Sequence, residues 1–391
     1  MGRAMGSVPS RVIPAFCSLA DLSVSTSELL PAIQGEAPNS VSYTNMHDYN
    51  PALGEHLLRD IYVDRSSRLD SVLLVRLQSG AVILGGGHFV LRVGDALAKE
   101  QYPVYFSRSE AYLDELLRVN RPREEVDAEA LLVARYGIFT WGHWLGELLP
   151  KVALVEMHFP MRFCYVLPFQ VMADKSPTSP WRRIRESLMA YGISANRIIS
   201  IHPESDYRFS SLYAVTSVWS DFLMHPGALE VMRAIALPVV ERDYPARLGI
   251  QRDAAYGRCI DNSEQIESFL AGQGFELRNL TVTPFTEQVG LFSRAELIFG
   301  VLGSDLTNLI YSPNGVKVIS VAPADFGDRF FYALIVARRG KQIDLRGEVT
   351  AVDQQFANKS NFVIDVSEID CAINWFCGSR EKSSSGGSQA T

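Results

Sequence analysis

Several patterns that would declare a function are missing from this chain. No run approaches the roughly eighteen apolar residues that span a bilayer, and the N-terminus lacks the basic, apolar, small-residue order of a signal peptide. The expectation is a soluble, cytoplasmic protein with at most peripheral membrane association. Cysteine is sparse: Cys17, Cys164, Cys259, Cys371 and Cys377 are scattered, odd in number and without a Cys-x-x-Cys pair. They read as reduced thiols, because neither a disulfide framework nor a zinc site has the spacing it needs. Basic charge is also short, with 37 Lys and Arg against 44 Asp and Glu and a net charge of −7. That argues against a broad phosphate-tracking surface, though not against a local cluster of arginines, and no nucleic-acid partner is expected.

The familiar catalytic signatures are absent as well. There is no Gly-x-x-x-x-Gly-Lys-Ser/Thr loop, no Gly-x-Gly-x-x-Gly after a strand, no Gly-x-Ser-x-Gly elbow and no Asp-x-Asp near a strand end. P-loop hydrolysis, a standard dinucleotide fingerprint and Ser-His-Asp chemistry lack support, and no metal-ligand set is visible. His158, His202 and His225 are isolated and read as core or surface residues.

What the chain does have is apolar material: 47% hydrophobic against 21% charged residues over 391 positions. That suits about two domains with sizeable cores. The first forty residues show no steady period and are expected to wrap the surface. Strands are predicted at 60–64, 71–77 and 81–93, the last broken by Gly85-Gly86-Gly87, giving an antiparallel layer near the N-terminus. A helix is predicted at 109–118 and a charged loop or helix extension at 121–129. From 131 the rhythm becomes strand and helix in turn: strands at 131–136, 164–167, 197–201 and 212–217, helices at 142–157 and 180–191. Such alternation implies βαβ units and a parallel sheet.

A helical stretch after Pro226 and the run Arg242-Asp-Tyr-Pro245 form a candidate linker, 226–246, between a first domain at 1–225 and a second at 247–348. In the second, strands at 248–251, 275–280, 297–301, 316–321 and 342–345 alternate with helices at 263–271, 286–293, 305–310 and 326–337, a Rossmann-like unit. The segment 349–378 is expected to close the fold, with a helix at 364–376 packing back on the first domain. The Ser/Gly-rich tail 379–391 is expected to be disordered.

Three places carry chemistry. In Trp141-Gly-His-Trp-Leu-Gly-Glu-Leu-Leu-Pro150, His143 and Glu147 stand at i and i+4 on one helical face, and Pro150 should end or kink that turn. An imidazole beside a carboxylate suits a general base; a local polar pair at a helix start is the plainer alternative. Arg252 follows Leu248-Gly-Ile-Gln251, where a guanidinium facing the inter-domain crevice could fork onto a diphosphate, or simply be solvated. Gly303-Ser-Asp-Leu-Thr-Asn308 follows an apolar strand, so the N–H groups of Ser304, Asp305 and Leu306 and the hydroxyls of Ser304 and Thr307 could cradle an anion. Capping by Ser304 or Asp305 is the alternative there.

In this order the pieces resemble glycosyltransferase family 61, over roughly 136–321. The resemblance rests on His143-Trp-Leu-Gly-Glu147 with Leu-Pro after it, Arg197-Ile-Ile, Leu248-Gly-Ile-Gln-Arg252, Phe285-Thr-Glu-Gln288 with Leu291-Phe-Ser-Arg-Ala295, and Gly303 with Leu306-Thr-Asn308. It implies an α/β, GT-B-like fold of two Rossmann-like domains facing a central cleft. It also implies a metal-independent, inverting transfer of a hexose or pentose from a nucleotide sugar, UDP-linked, to a glycan acceptor, without a cofactor, in bacterial capsular or exopolysaccharide synthesis. Glu147 would be the base with His143 orienting it, or the reverse, and Arg252 with Gly303, Ser304, Asp305, Leu306, Thr307 and Asn308 would hold the donor. The chain departs from the family pattern at Leu302, where a histidine is usual, at Asp305, where a small residue is usual, and at Ser320, where a glutamate often ends the strand and meets ribose hydroxyls. Altered donor contacts are one expectation from these departures; a non-catalytic glycan-binding or scaffold protein of the same fold is the other, with a nucleotide-dependent hydrolase a third.

Overall fold

The computed structural model describes residues 15–33, 69–86, 89–98, 116–220, 223–236, 243–324, 326, 330–351 and 359–378. The strand expected at 60–64, most of the helix expected at 109–118, the end of the linker helix after 236 and the tail at 379–391 lie outside these residues.

Two sheets organise the chain. The first holds β1 (Ala15–Cys17), β2 (Ser23–Leu30), β3 (Val72–Leu77), β4 (Val82–Ile83), β5 (Leu91–Val93), β6 (Ala96–Ala98), β7 (Arg123–Leu132), β8 (Cys164–Pro168), β9 (Ile198–Ile201) and β10 (Asp206–Val215). Strands β10, β7, β8 and β9 lie parallel in that order, while β3 and β4 pair antiparallel with β10. The antiparallel strands are therefore a continuation of the parallel set through β10, and not a separate layer. The stretch read as one strand over 81–93 is two short ones, β4 and β5, paired antiparallel.

The segment 121–129, expected as a charged loop or helix, is instead the outer half of β7. Its Glu124, Glu125, Asp127 and Glu129 are solvent-exposed, while Ala130, Leu131 and Leu132 enter the core. Parallel pairing with β10 from Asp206 onward extends the strand well beyond the apolar run that signals it.

After a short pair, β11 (Trp219–Ser220) with β12 (Leu223–Met224), the second sheet follows: β13 (Arg247–Gln251), β14 (Glu276–Asn279), β15 (Leu297–Val301), β16 (Lys317–Pro323), β17 (Lys341–Ala351) and β18 (Asn361–Val363). Its order is β14-β13-β15-β16-β17-β18, parallel except for β18. Every residue of β15 is buried, as expected of a central strand covered on both faces.

The helices are α1 (Trp141–His143), α2 (Leu149–His158), α3 (Gln170–Ala173), α4 (Pro180–Ala190), α5 (Pro226–Ala236), α6 (Ser263–Gly272), α7 (Phe285–Arg294), α8 (Phe330–Ala337) and α9 (Val366–Gly378). One apolar cluster includes Leu131, Val166 and Leu212 of the first sheet, Leu248, Ile298 and Val318 of the second, and Trp144, Leu188, Met232 and Phe292 from helices between them. A second cluster covers the other face of the second sheet, where α6 and α9 pack on Phe299, Val321 and Ile343. Helix α9 therefore closes the second sheet and does not return to the first. Ile369, Ala372, Ile373 and Phe376, spaced at helical intervals, make the apolar stripe that binds it there.

Candidate functional site

The chain leaves β13 through α6 to reach β14 on one side, then returns through α7 to β15 on the other. Where connections diverge in this way, a crevice opens outside the carboxyl ends of the two strands, and ligands of open α/β sheets bind there. The residues at that crevice are Arg252, immediately after β13, and Leu302 and Gly303, after β15.

Arg252 donates from Nε to the Gly257 carbonyl (3.0 Å) and from Nη2 to the Tyr256 carbonyl (3.2 Å). Its Nη1 lies against Gly303, only 2.5 Å from where a Cβ at that position would stand. Burial lowers the Arg252 pKa from its ordinary value, and the field of Asp305 only partly offsets this. A partly desolvated guanidinium bonded to carbonyls retains its whole charge for an incoming anion.

The segment after Gly303 is a 3₁₀ turn, Ser304–Tyr311, not the α-helix expected at 305–310. Neither Ser304 nor Asp305 caps it. Asp305 instead pairs with Arg183 of α4 at 3.0 Å, so its charge is held by the first half of the chain and does not take the turn's N–H groups. Leu306 donates its N–H to the Gly303 carbonyl (2.9 Å) and is fully buried. Thr307 is buried with Oγ1 toward Gly142, and Asn308 is buried with its amide donating to Gln288 Oε1 (3.1 Å) and the Asp305 carbonyl (2.9 Å). Of the six residues 303–308, only Gly303 and Ser304 are thus left to face a ligand; the others build the wall behind it.

That wall touches the His143 segment directly. A Cβ at Gly142 would meet Thr307 Oγ1 at 3.3 Å and Ser304 Oγ at 3.4 Å, so glycine permits the close approach of α1 to the turn. His143 Nδ1 lies 2.5 Å from Glu147 Oε1, and Arg135 Nη2 donates to Glu147 Oε2 while lying 3.2 Å from the same imidazole nitrogen. A guanidinium only donates and an ionised carboxylate only accepts, so the shorter contact makes Nδ1 the donor to Glu147. In the neutral ring this tautomer puts the lone pair on Nε2, which has no hydrogen bond among the described residues, and the imidazole is about half exposed (48%). Burial pushes the Glu147 carboxyl up, but the His143 hydrogen bond and the charges of Arg135 and Lys151 outweigh it, and the net shift is downward.

Pro150 does not break this helix. Between α1 and α2 the chain makes a π-helical turn, Trp144–Leu148, with Leu149 N–H reaching the Trp144 carbonyl, so Pro150 falls in the first turn of α2, where its missing N–H is tolerated. The carbonyl of Gly146, which would take an N–H from residue 150 in a regular α-helix, accepts one from Trp219 Nε1 at 2.7 Å. Phe330 packs over Gly146, where a Cβ would stand 2.7 Å from its Cζ, and lies against Trp219 with ring centroids 4.9 Å apart and the planes tilted by 30°.

One arginine of this region escapes sequence reasoning, and a second, Arg258, whose place a few residues past Arg252 suggests a structural or surface role, proves structural. Arg135, three residues beyond β7, supplies the charge that holds Glu147. Arg258 is buried, donates to the Leu302 carbonyl and lies 4.0 Å over the Phe326 ring. Arg135 stands near a strand end and Arg258 just beyond the short 3₁₀ turn Ala254–Tyr256, but only the folded chain shows what they face. Leu302 itself is buried in the core. Ser320 lies in the middle of β16, not at its end; its hydroxyl donates to Asp344 (2.8 Å) and accepts from Gln342 (2.7 Å), so it is consumed inside the protein.

Beside Arg252 is a cavity of about 130 Å³ with an apolar floor of Ile260, Ile266 and Phe299, and a polar rim that includes Gln251 and Glu267, joined at 2.9 Å. Among the described residues, no group of three or more His, Cys, Asp or Glu side chains could hold a metal ion, and no helix is long and apolar enough to cross a membrane.

The molecule is thus an α/β protein of two sheets whose crevice, bordered by Arg252 and Gly303, is walled by the 304–311 turn, and against that turn packs the helix start that carries His143 and Glu147. Residues 141–319, which contain both halves of the site, match the family model described as Glycosyltransferase 61, and the match supports membership of that family. The family implies transfer of a sugar from a donor to a glycan acceptor. No curated protein matches the chain.

Proposed function

We propose that this chain is an inverting, metal-independent glycosyltransferase of GT-B-like arrangement that takes a UDP-linked sugar at the carboxyl end of the second sheet and a glycan acceptor on the side of the first. The observation that carries it is Arg252: a partly buried guanidinium at the switch point, hydrogen-bonded to carbonyls and packed on a glycine turn. There it neutralises the negative charge that develops on a departing diphosphate, and for this reason the transfer is taken to proceed without a metal ion. The neighbouring cavity offers a nucleobase a flat apolar floor and a polar edge.

His143 is the base in this scheme. A carboxylate whose pKa is depressed is a weak proton acceptor, whereas Nε2 has no hydrogen-bond partner among the described residues and Nδ1–H is fixed by Glu147. Nε2 takes the acceptor hydroxyl's proton as its oxygen bonds to the anomeric carbon. The bond from that carbon to the diphosphate oxygen breaks on the opposite face, its electron pair leaving with the nucleotide, and the proton on His143 passes to solvent. Glu147 and Arg135 hold the imidazole in the required tautomer. A place in the cytoplasmic synthesis of a bacterial surface polysaccharide, capsular or exopolysaccharide, follows from the family resemblance.

Thermal shift against UDP, GDP, CMP and their sugar conjugates tests the donor assignment. UDP and a UDP-sugar are expected to raise the melting temperature, and Arg252→Ala to abolish the rise, with Arg252→Lys recovering little because a point charge does not reproduce the fork. A panel with no response, or a response unchanged in Arg252→Ala, would overturn it.

A further inference from the structure

The turn that precedes α1 carries an aromatic residue with no role in the core. Residues 136–140 connect β7 to the dyad; the Ile138 N–H donates to the Arg135 carbonyl (3.2 Å) and that of Thr140 to the Gly137 carbonyl (2.8 Å). Ile138 is buried at 1% exposure and anchors the turn, while Phe139 beside it is 49% exposed. Gly137, at φ 81°, lies on the His143 ring: a Cβ there would stand 3.2 Å from Cδ2 and 3.7 Å from Nε2. The turn therefore borders the imidazole edge that holds Nε2. Tyr136 meets Phe139 edge to face, centroids 6.4 Å apart at 86°, which restrains the phenyl ring and leaves a face open.

We propose that Phe139, buttressed by Tyr136, is the stacking platform for a sugar ring of the glycan acceptor. The assignment rests on His143 acting as base under the function proposed above. A pyranose has a face of axial C–H bonds that packs on an aromatic ring, and a rim of hydroxyls that extends past it. A ring seated on Phe139 directs that rim toward the imidazole edge bordered by the same five-residue turn. An aliphatic side chain would offer the same apolar area without the flat, electron-rich face. An exposed phenyl otherwise has an unfavourable hydration cost, which a bound sugar ring removes.

Saturation-transfer NMR with methyl β-D-glucopyranoside and methyl β-D-galactopyranoside as probes, in the presence of UDP, tests this on the full chain. Transfer is expected to concentrate on the axial C–H protons of one face. Phe139→Ala should weaken apparent affinity roughly tenfold, and Phe139→Trp should restore it. Equal binding by wild type and Phe139→Ala, or no transfer to either glycoside in the wild type, would sink the platform. The UDP thermal shift, run in parallel, separates the two ideas. A chain that binds UDP but treats the alanine variant like wild type keeps the donor site and loses the platform. One that binds glycosides through Phe139 but no nucleotide keeps the platform and loses the donor site.

Discussion

At the scale of single residues, the site depends on which charges already have partners. Glu147 is held by Arg135, Asp305 by Arg183 and Asp344 by Arg346, whereas Arg252 is hydrogen-bonded to carbonyl oxygens. Its position depends on the missing side chain of Gly303. An alanine there would place Cβ 2.5 Å from Arg252 Nη1, and because that atom ends a flexible side chain, the guanidinium can move without disturbing the fold. Gly303→Ala is therefore expected to leave the melting temperature within about 1 °C to 3 °C of wild type while weakening UDP binding about tenfold, the cost of one displaced charged contact. Equal UDP titrations for both proteins would show that Arg252 does not act from this position. His143, Glu147, Arg252 and Gly303 are legible in sequence because each stands at a regular interval or at the end of an apolar run. Arg135 is not, since an arginine in a loop carries no sign of the group it will meet; Arg258 is legible only as a structural or surface residue, without its partners. Thr307 and Asn308 mislead for the converse reason: polar residues after a glycine turn look available to a ligand, yet the packing of α1 and α7 on that turn buries them.

At the scale of elements, the π turn is what places Glu147. Inserting it between α1 and α2 shifts the helical register so that Pro150 falls in a first turn, and the Gly146 carbonyl is then satisfied from outside by Trp219. Trp219→Phe keeps a ring against Phe330 but removes the donor, leaving a carbonyl unsatisfied inside the protein. The expected loss is about 1 to 3 kcal/mol in chemical denaturation. If the turn relaxes as a result, kcat should fall while the UDP-induced thermal shift stays as in wild type; an unaltered kcat would mean that the turn holds its shape without the indole. The parallel strands β13 to β16 are legible to within a few residues, and β15 at 297–301 to the residue, because buried parallel strands are written as continuous apolar runs; the outer part of β17 and the antiparallel β18 are not. The outer half of β7 was not legible. Its pattern is a charged surface, and only pairing with β10, eighty residues later in sequence, makes it a strand. The 3₁₀ geometry of 304–311 and the π turn were hidden too, because both repeat apolar residues at nearly helical spacing.

At the scale of the molecule, two sheets suggest two lobes that close on a substrate, but the interior argues against loosely joined halves. A single apolar cluster runs from the first sheet through α2, α4, α5 and α7 into the second. Polar contacts cross the same ground: Tyr191 and Tyr311 share a hydrogen bond of 3.0 Å, Arg182 donates to the Thr281 carbonyl (2.9 Å), Glu186 accepts from the Phe285 N–H (3.1 Å), and Arg183 pairs with Asp305. Interfaces between mobile domains are usually smaller and more polar than a shared core. Separating the halves here would expose leucine and phenylalanine side chains together with an uncompensated buried pair, so neither half should melt well before the other. Differential scanning calorimetry of the full chain is expected to give one transition whose calorimetric and van't Hoff enthalpies agree, and UDP should move that transition as a unit. Two resolved transitions, with only the later one raised by UDP, would show instead that the second sheet is an independent donor-binding lobe. Substrate closure would then be a hinge between lobes, where the shared core restricts it to shifts of the loops around Arg252, Gly303 and Phe139.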